Sequence, residues 1–394
     1  MSRHLRTILS LDDFEHAARR HLPGPVFAYV SGGVETDASL RDNRAAFDEL
    51  GFLPRVLIDV SKRSTATRLF GREYSAPFGV APMGISALSA YRGDLVQAQG
   101  AKASNIPMIM SGSSLIRLED VSTACPETWF QAYLPGEPEK ILGLVDRAAT
   151  AGFKTLVVTV DVAVLSNREN NVRAGFSTPL RPSLRLAWDG ITHPRWLFGN
   201  ALRTVLRHGM PHFENSFATR GAPILAKDVE RDFSKKDHLN WEHLALIRKR
   251  WQGRLVMKGV MNPLDARIAR ESGVDGIVVS NHGGRQLDFT VSPLRVLPSI
   301  VEVAGAIPVM MDSGIRRGTD VMKALALGAS FVFVGRPFNY AATIAGEAGV
   351  RHAYEILQGE LYRGMAQLGI TSLAQLAPGM LMRIAGVRAP GMPV

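Results

Sequence analysis

GIVVSNHGGRQLD, residues 276–288, decides how the rest of the chain is read. Ile277 to Val279 is a β-branched run of the kind that forms a buried strand, and it ends abruptly in polar residues and two glycines. His282 places a group that titrates near neutral pH at that strand end, and Arg285 adds a fixed, forked cation. Gly283 and Gly284 let the backbone bend so that both groups face one space. Taken alone, a histidine is more often structural than catalytic. Here it follows an apolar strand and precedes Gly, Gly and Arg, a setting with little packing purpose. A base beside an anion clamp suits chemistry on a substrate that carries a carboxylate.

Outward from this stretch, the same rhythm recurs: a short apolar run, a polar or glycine-containing end, then an amphipathic helix. The runs are FGVAP (78–82), IPMIMS (106–111), TWFQAY (128–133), TLVVTVD (155–161), RLVMKG (254–259), GIVVSN (276–281), IPVMMDSG (307–314) and FVFVGRP (331–337). Continuous apolar strands alternating with helices predict a parallel sheet buried on both faces, and this number of units predicts a closed (β/α)8 TIM barrel. Such barrels carry their chemistry at the carboxyl ends of the strands. Ser111, Gln131, Tyr133, Thr159, Asp161, Lys258, His282, Asp312 and Arg336 all fall at those ends. DSGIRRGTD (312–320) and VGRPF (334–338) then put glycines and arginines after the last two strands, where barrels build phosphate sites. Arg316 and Arg336 are the candidates to pair with phosphate oxygens.

Ser10 and Asp13 form a capping-box pattern that predicts a helix from Leu11 to about His21, ending before Pro23. A second helical stretch around Phe27–Val30 stops at Gly32 and Gly33 and carries Tyr29, which reads equally as a packing anchor or a site residue. The composition, 46% hydrophobic and 21% charged over 394 residues, is that of a globular protein with a large core. The single cysteine, Cys125, excludes an intramolecular disulfide and a cysteine metal cluster; it reads as a buried small hydrophobe and fits a reducing compartment. No apolar run reaches membrane-spanning length and no secretory leader is read at the N-terminus. The histidines show no paired ligand spacing, so no metal is expected.

Between the fourth and fifth runs lies an insertion, residues 170–238, of roughly 70 residues, far beyond an ordinary βα loop. Phe198, Leu202, Val205 and Leu206 stand at helical spacing with Arg203 and Arg207 alongside, and Arg173, Arg181, Arg185 and Arg195 add charge. Two readings stand: a basic amphipathic helix lying on an anionic membrane surface, or a lid whose apolar stripe packs on the barrel or a neighbouring subunit. The net charge of +10 is attributed to such a surface or to anionic substrates, not to nucleic acid, for which no binding module is present.

SNHGGRQLD, with Lys258 in VMKG, DSGIRRGTD, GRP and TVD, resembles the FMN-dependent L-2-hydroxy acid oxidase and dehydrogenase family, over nearly the whole chain. That family includes glycolate oxidases, L-lactate dehydrogenases and (S)-mandelate dehydrogenases. TVDVAVLSNREN, HPRW and RHGMP look most like the mandelate dehydrogenase branch, whose insertion attaches it to the membrane. The resemblance implies one FMN-binding barrel domain over 1–394, usually in a homotetramer, peripheral on the inner face of the cell membrane. It implies oxidation of a small L-2-hydroxy acid, mandelate-like or lactate, to the 2-keto acid, with electrons passed to quinone or another acceptor; the alternative is an oxidase that makes hydrogen peroxide from O2. By position, His282 is implied as the base, taking either the α-carbon or the hydroxyl proton, with Asp161 supporting its imidazolium. Arg285, Tyr29 and Arg168 are implied at the substrate carboxylate, Tyr133 at the substrate oxygen and Lys258 against flavin N1. Ser111, Gln131 and Thr159 are implied at the isoalloxazine ring, Asp312 at the ribityl chain, and Gly314, Arg316, Gly335 and Arg336 at the phosphate, with Pro82, Met83, Gly84 and Ser280 also among the implied cofactor-binding residues. Three departures stand out. Gly84 resembles the dehydrogenase branch, SGSS (111–114) lacks the bulky aromatic of the glycolate-type enzymes, and Ser166 replaces a usual glycine.

Overall fold

The computed structural model describes residues 5–177, 184–225 and 236–384. Its centre is the predicted barrel. The strands are β1 (Phe78–Val80), β2 (Ile109–Ser111), β3 (Trp129–Tyr133), β4 (Thr155–Thr159), β5 (Arg254–Val260), β6 (Gly276–Val279), β7 (Val309–Met311) and β8 (Phe331–Val334). They form one eight-stranded sheet in the order β1-β8-β7-β6-β5-β4-β3-β2. A bridge between Val80 and Met108, with the Val80 N–H donating to the Pro107 carbonyl at 2.9 Å, brings β1 back to β2 and closes the ring.

Strand side chains alternate between two buried environments, which is why the runs are apolar throughout. Ile109, Trp129, Val157, Val256, Val278, Met310, Phe331 and Phe333 form one cluster inside the barrel. Their neighbours Leu156, Val158, Ile277, Val279 and Val332 pack outward in the larger core shared with the helices. A short hairpin, Thr67–Leu69 with Arg72–Tyr74, plugs the amino end of the barrel, where Phe70 meets Trp129 with ring centroids 5.6 Å apart.

Helix α1 (Leu11–His21) begins as its sequence requires: the Asp13 N–H donates to Ser10 Oγ at 3.3 Å and the Ser10 N–H donates back to Asp13 Oδ2 at 2.9 Å. Helix α2 (Gly24–Ser31) ends at Gly32 and carries Tyr29 to the carboxyl ends of the strands. One turn of β5 is irregular. Gly259 has φ +106°, and a Cβ there would lie 2.7 Å from the Asp161 side chain. Gly259→Ala is expected to push the Asp161 side chain aside; a crystal structure of the variant with Asp161 unmoved would contradict this.

The described part of the insertion forms helices Leu184–Thr192, Pro194–Trp196 and Leu202–His208, the last two joined by a π-helical turn. It is seated on the barrel by Phe176, Phe213 and Ile224, buried against Ile85, Ala87 and Leu115. Trp196 Nε1 and Asn200 Nδ2 both donate to the Leu88 carbonyl, at 2.7 and 2.8 Å. The stripe itself stays out: Phe198 is 67% and Leu206 83% exposed, with Leu202 and Val205 at 40% and 45%. The stripe thus does not pack on this chain's own barrel, as one half of the lid reading expected, and what is left to cover it is a membrane surface or a neighbouring subunit. Arg203 does not simply flank the stripe, since its guanidinium stacks 3.8 Å over the Tyr91 ring. Arg181 and the side chain of Arg185 lie outside the described residues. Among the described residues no helix is long and apolar enough to cross a membrane.

Candidate active site

A cavity of about 590 Å³ opens at the carboxyl ends of the strands, a size suited to a cofactor with a small substrate. Tyr29, Pro82, Met83, Gly84, Tyr133, Thr159, Arg168, Lys258, His282, Arg285, Asp312, Gly314, Arg316, Gly335 and Arg336 line it, so these sequence candidates converge on one space. Ser111, Gln131, Asp161 and Ser280 are packed directly against these residues and one another: Ser111 Oγ donates to Gln131 Oε1, Lys258 Nζ to Ser280 Oγ, and Asp161 meets His282. The wall also uses Ser113, Asn171, Val172 and Phe176. Sequence patterning had assigned none of these to a site, because they come from a second loop and from the root of the insertion.

The turn after β6 is wound tightly. His282, Gly283 and Gly284 have φ of +58°, +69° and +73°, a run of left-handed residues that glycine tolerates and histidine accepts only under constraint. The constraint is visible: the His282 N–H donates to Ser280 Oγ at 3.0 Å, and the Gly283 N–H donates to Ser313 Oγ at 3.0 Å. A Cβ on Gly284 would lie 2.6 Å from the Leu40 backbone nitrogen. This geometry turns the imidazole into the cavity. Its Nδ1 lies 3.0 and 3.2 Å from the Asp161 carboxylate, and its Nε2 lies 3.3 Å from the Tyr133 hydroxyl. With Nδ1–H donated to Asp161, the lone pair sits on Nε2.

Burial, the largest influence, lowers the His282 pKa; Asp161 pulls it upward, and Lys258 and Arg168 push it further down. The imidazole is therefore neutral at neutral pH and able to accept a proton. Burial alone would raise Asp161, but His282 and Lys258 hold it below the ordinary carboxylate value, so it is ionised. Burial, then Asp161 and Tyr29, hold the Tyr133 phenol well above its usual range, which keeps it a donor.

Lys258, on β5, is buried yet charged: burial would lower its pKa, and Asp312 and Asp161 outweigh that. Its Nζ lies 3.2 Å from Asp312 Oδ2 and donates to Ser280 Oγ at 2.9 Å. Arg285 is different. Burial, Arg168 and Arg336 push it down to about 9, and Nη1 donates to the carbonyls of Gly32 at 2.6 Å and Val30 at 3.5 Å while the group lies 5.2 Å over the Tyr29 ring. Arg336 is likewise lowered by burial, to about 10, and donates to the carbonyls of Val30, Gly32 and Gly283. Two buried guanidinium groups satisfied by neutral carbonyls stand ready for anions. Arg168 donates to Ser166, Gln286 and the Arg285 carbonyl, so Ser166 is built into the loop as a hydrogen-bond partner.

These observations test the fit of FMN. Among the described residues Gln131 Nε2 and Thr159 Oγ1 are buried without a hydrogen-bond partner; both sit towards the carboxyl ends of their strands, and Thr159 is in register with Lys258 on the next strand. A heterocycle rich in N–H and carbonyl groups would satisfy them, and a phosphate would meet Arg316 and Arg336. The residues present fit the group.

Comparison with known proteins agrees. A family model described as FMN-dependent dehydrogenase matches residues 18–383, and the chain belongs to that family. Among relatives, (S)-mandelate dehydrogenase of Pseudomonas putida is 35% identical, with 95% of this chain and 94% of that protein covered. L-lactate dehydrogenase of Ectopseudomonas mendocina (strain ymp) is 38% identical, with 94% and 98% covered. A crystal structure of the monotopic membrane protein (S)-mandelate dehydrogenase superposes with a TM-score of 0.88 at 34% identity, covering 96% of this chain and 100% of that one. The protein is an FMN-dependent oxidoreductase on a TIM barrel.

Proposed function

We propose that this chain is a single FMN-binding domain that oxidises an L-2-hydroxy acid of the mandelate or lactate type to the 2-keto acid and passes the electrons to a quinone. The observation that carries the reading is the juxtaposition at one cavity of His282, held in one tautomer by Asp161, and Arg285, a buried cation without an anionic partner among the described residues. Oxidation at C2 removes two electrons and two protons from the substrate, and FMN supplies the electron acceptor. Arg285, Arg168 and the Tyr29 hydroxyl bind the carboxylate, and anchoring that end fixes which face of C2 is presented. Tyr133 donates to the 2-oxygen, and His282 Nε2 takes a proton from the substrate as Asp161 balances the imidazolium. Pro82, Met83, Gly84, Ser111, Gln131, Thr159 and Ser280 surround the ring system, with Lys258 at its electron-rich edge. Asp312 binds the ribityl chain, and Gly314, Arg316, Gly335 and Arg336 hold the phosphate.

The test is anaerobic mixing with a panel of L-2-hydroxy acids. Loss of the yellow colour with L-mandelate or L-lactate is expected, and no bleaching with any member of the panel would overturn the reading. Rapid peroxide formation in air would move the acceptor to O2.

The base must be neutral to act, and burial lowers its pKa. The acid limb of kcat/KM is therefore expected to have its midpoint below 6.5, with activity lost as pH falls through it. A midpoint above 7 would contradict the assignment of His282.

The insertion is proposed to dock on the anionic inner face of the cell membrane, because its exposed Phe198, Val205 and Leu206 are accompanied by basic residues. The protein is expected to sediment with anionic vesicles at low salt and to be released as salt rises. Equal binding to neutral vesicles would remove the electrostatic part of the account.

A further inference from the structure

Asn43 and Arg44 stand side by side on the helix Ala38–Asp48, outside the cavity lining, and reach two different loops of the site. Asn43 and Asn281 are both buried, and their amides exchange a reciprocal pair of hydrogen bonds. Asn43 Nδ2 donates to Asn281 Oδ1 at 3.0 Å, and Asn281 Nδ2 donates to Asn43 Oδ1 at 2.7 Å. Asn281 immediately precedes His282, and its Oδ1 also accepts the Gly284 N–H at 3.1 Å, so this amide spans the left-handed turn. The rest of the segment is tied to the same helix: Asp288 Oδ1 accepts the Ser39 N–H at 3.0 Å, and Asp42 Oδ2 accepts the Ser292 N–H at 2.7 Å.

Arg44 faces the loop after β7. Its Nη1 donates to the Gly314 carbonyl and to Asp320 Oδ2, the latter at 2.6 Å. That same carboxylate oxygen accepts the N–H groups of Arg316 and Arg317, at 2.8 and 3.0 Å. Asp320 is buried, so removing its cation leaves a carboxylate held by backbone donors and cut off from water. Gly314, with φ +84°, meets the helix directly, since a Cβ there would lie 2.2 Å from the Asn43 carbonyl oxygen. The loop that carries Arg316 into the cavity is therefore shaped against this helix.

We propose that Asn43 and Arg44 are positioning residues that make this helix a splint between the base and the cofactor. Asn43 fixes the turn that aims His282, and Arg44, through Asp320, fixes the loop that receives the FMN phosphate. Neither residue touches substrate or cofactor. Because the two side chains reach different loops, their removal has separable effects, one on the chemical step and one on cofactor affinity. The inference rests on the 2-hydroxy acid reading above, while its Arg44 arm needs only FMN.

The test makes two measurements on Asn43→Ala and Arg44→Gln: quenching of FMN fluorescence as the apoprotein is titrated, and anaerobic flavin reduction by L-mandelate and L-lactate at saturating FMN. Arg44→Gln is expected to weaken FMN binding about tenfold, or about 1.4 kcal/mol, and to leave the limiting reduction rate within about twofold. Asn43→Ala is expected to do the reverse, lowering the limiting rate about tenfold through a misplaced base and leaving FMN affinity and half-saturation within about twofold. General destabilisation would lower the yield of loaded enzyme without separating the two measurements. Should Asn43→Ala fail to fold, Asn43→Ser, which keeps a small polar group but cannot form the reciprocal pair, takes its place. Wild-type behaviour of either residue's variant in its own measurement, or equal losses in both measurements, would overturn the splint. Absence of reduction in the wild type would instead strike the 2-hydroxy acid reading, and the FMN titration of Arg44→Gln would still decide the role of the helix.

Discussion

His282→Asn is expected to slow anaerobic flavin reduction by about 10²–10⁴-fold, the span that a positioned base contributes. Asparagine preserves a polar group able to face Asp161, and it tolerates the left-handed backbone found at this position. The fold and FMN content should therefore survive, and the loss should fall on the rate of reduction and not on half-saturation, because Arg285 and Tyr29 still hold the carboxylate. Reduction at the wild-type rate would remove His282 from the chemistry. Loss of bound FMN in parallel with rate would show that the turn after β6 matters only for holding the cofactor.

The second large effect is expected at Lys258. Replacing it with methionine leaves Asp312, whose side chain is 8% exposed, without the cation 3.2 Å away. Stranding one partner of a buried pair costs about 3–5 kcal/mol. Denaturant unfolding of the apoprotein should register that loss. The double variant Lys258→Met/Asp312→Asn should recover much of the stability, since the remaining group is neutral. It should not recover fast flavin reduction, because Lys258 is assigned to the electron-rich edge of the ring. Recovery of both in the double variant would reduce Lys258 to a structural counter-ion.

The barrel was legible because the property that defines each strand is local. A strand buried on both faces must be apolar throughout, and Thr155–Thr159 or Phe331–Val334 announces itself without knowledge of its neighbours. The first helix was legible for the same reason, its cap being written in four consecutive residues. Site residues at strand ends followed from the fold. What local reading could not supply was pairing across the chain. Asp161 and His282 are 121 residues apart, and only resemblance joined them before the structure did. The contact between Lys258 and Asp312 and the tie from Ser313 to Gly283 were not legible at all. Each depends on how neighbouring strands are staggered, and that offset leaves no mark on either segment alone. The insertion shows the converse: its amphipathic spacing was plain, and whether the stripe faced protein or solvent was decided by tertiary packing around Trp196, Phe213 and Asn200.

The central claim is that the imidazole and the guanidinium act together on one substrate beside FMN. A crystal structure of the FMN-loaded protein with a 2-keto acid product tests this most directly. The account predicts the product carboxylate on Arg285 and Tyr29, its keto oxygen within hydrogen-bond reach of His282 Nε2 and Tyr133, and the FMN phosphate on Arg316 and Arg336. A product carboxylate bound away from Arg285, or FMN seated with its ring remote from His282, would contradict it.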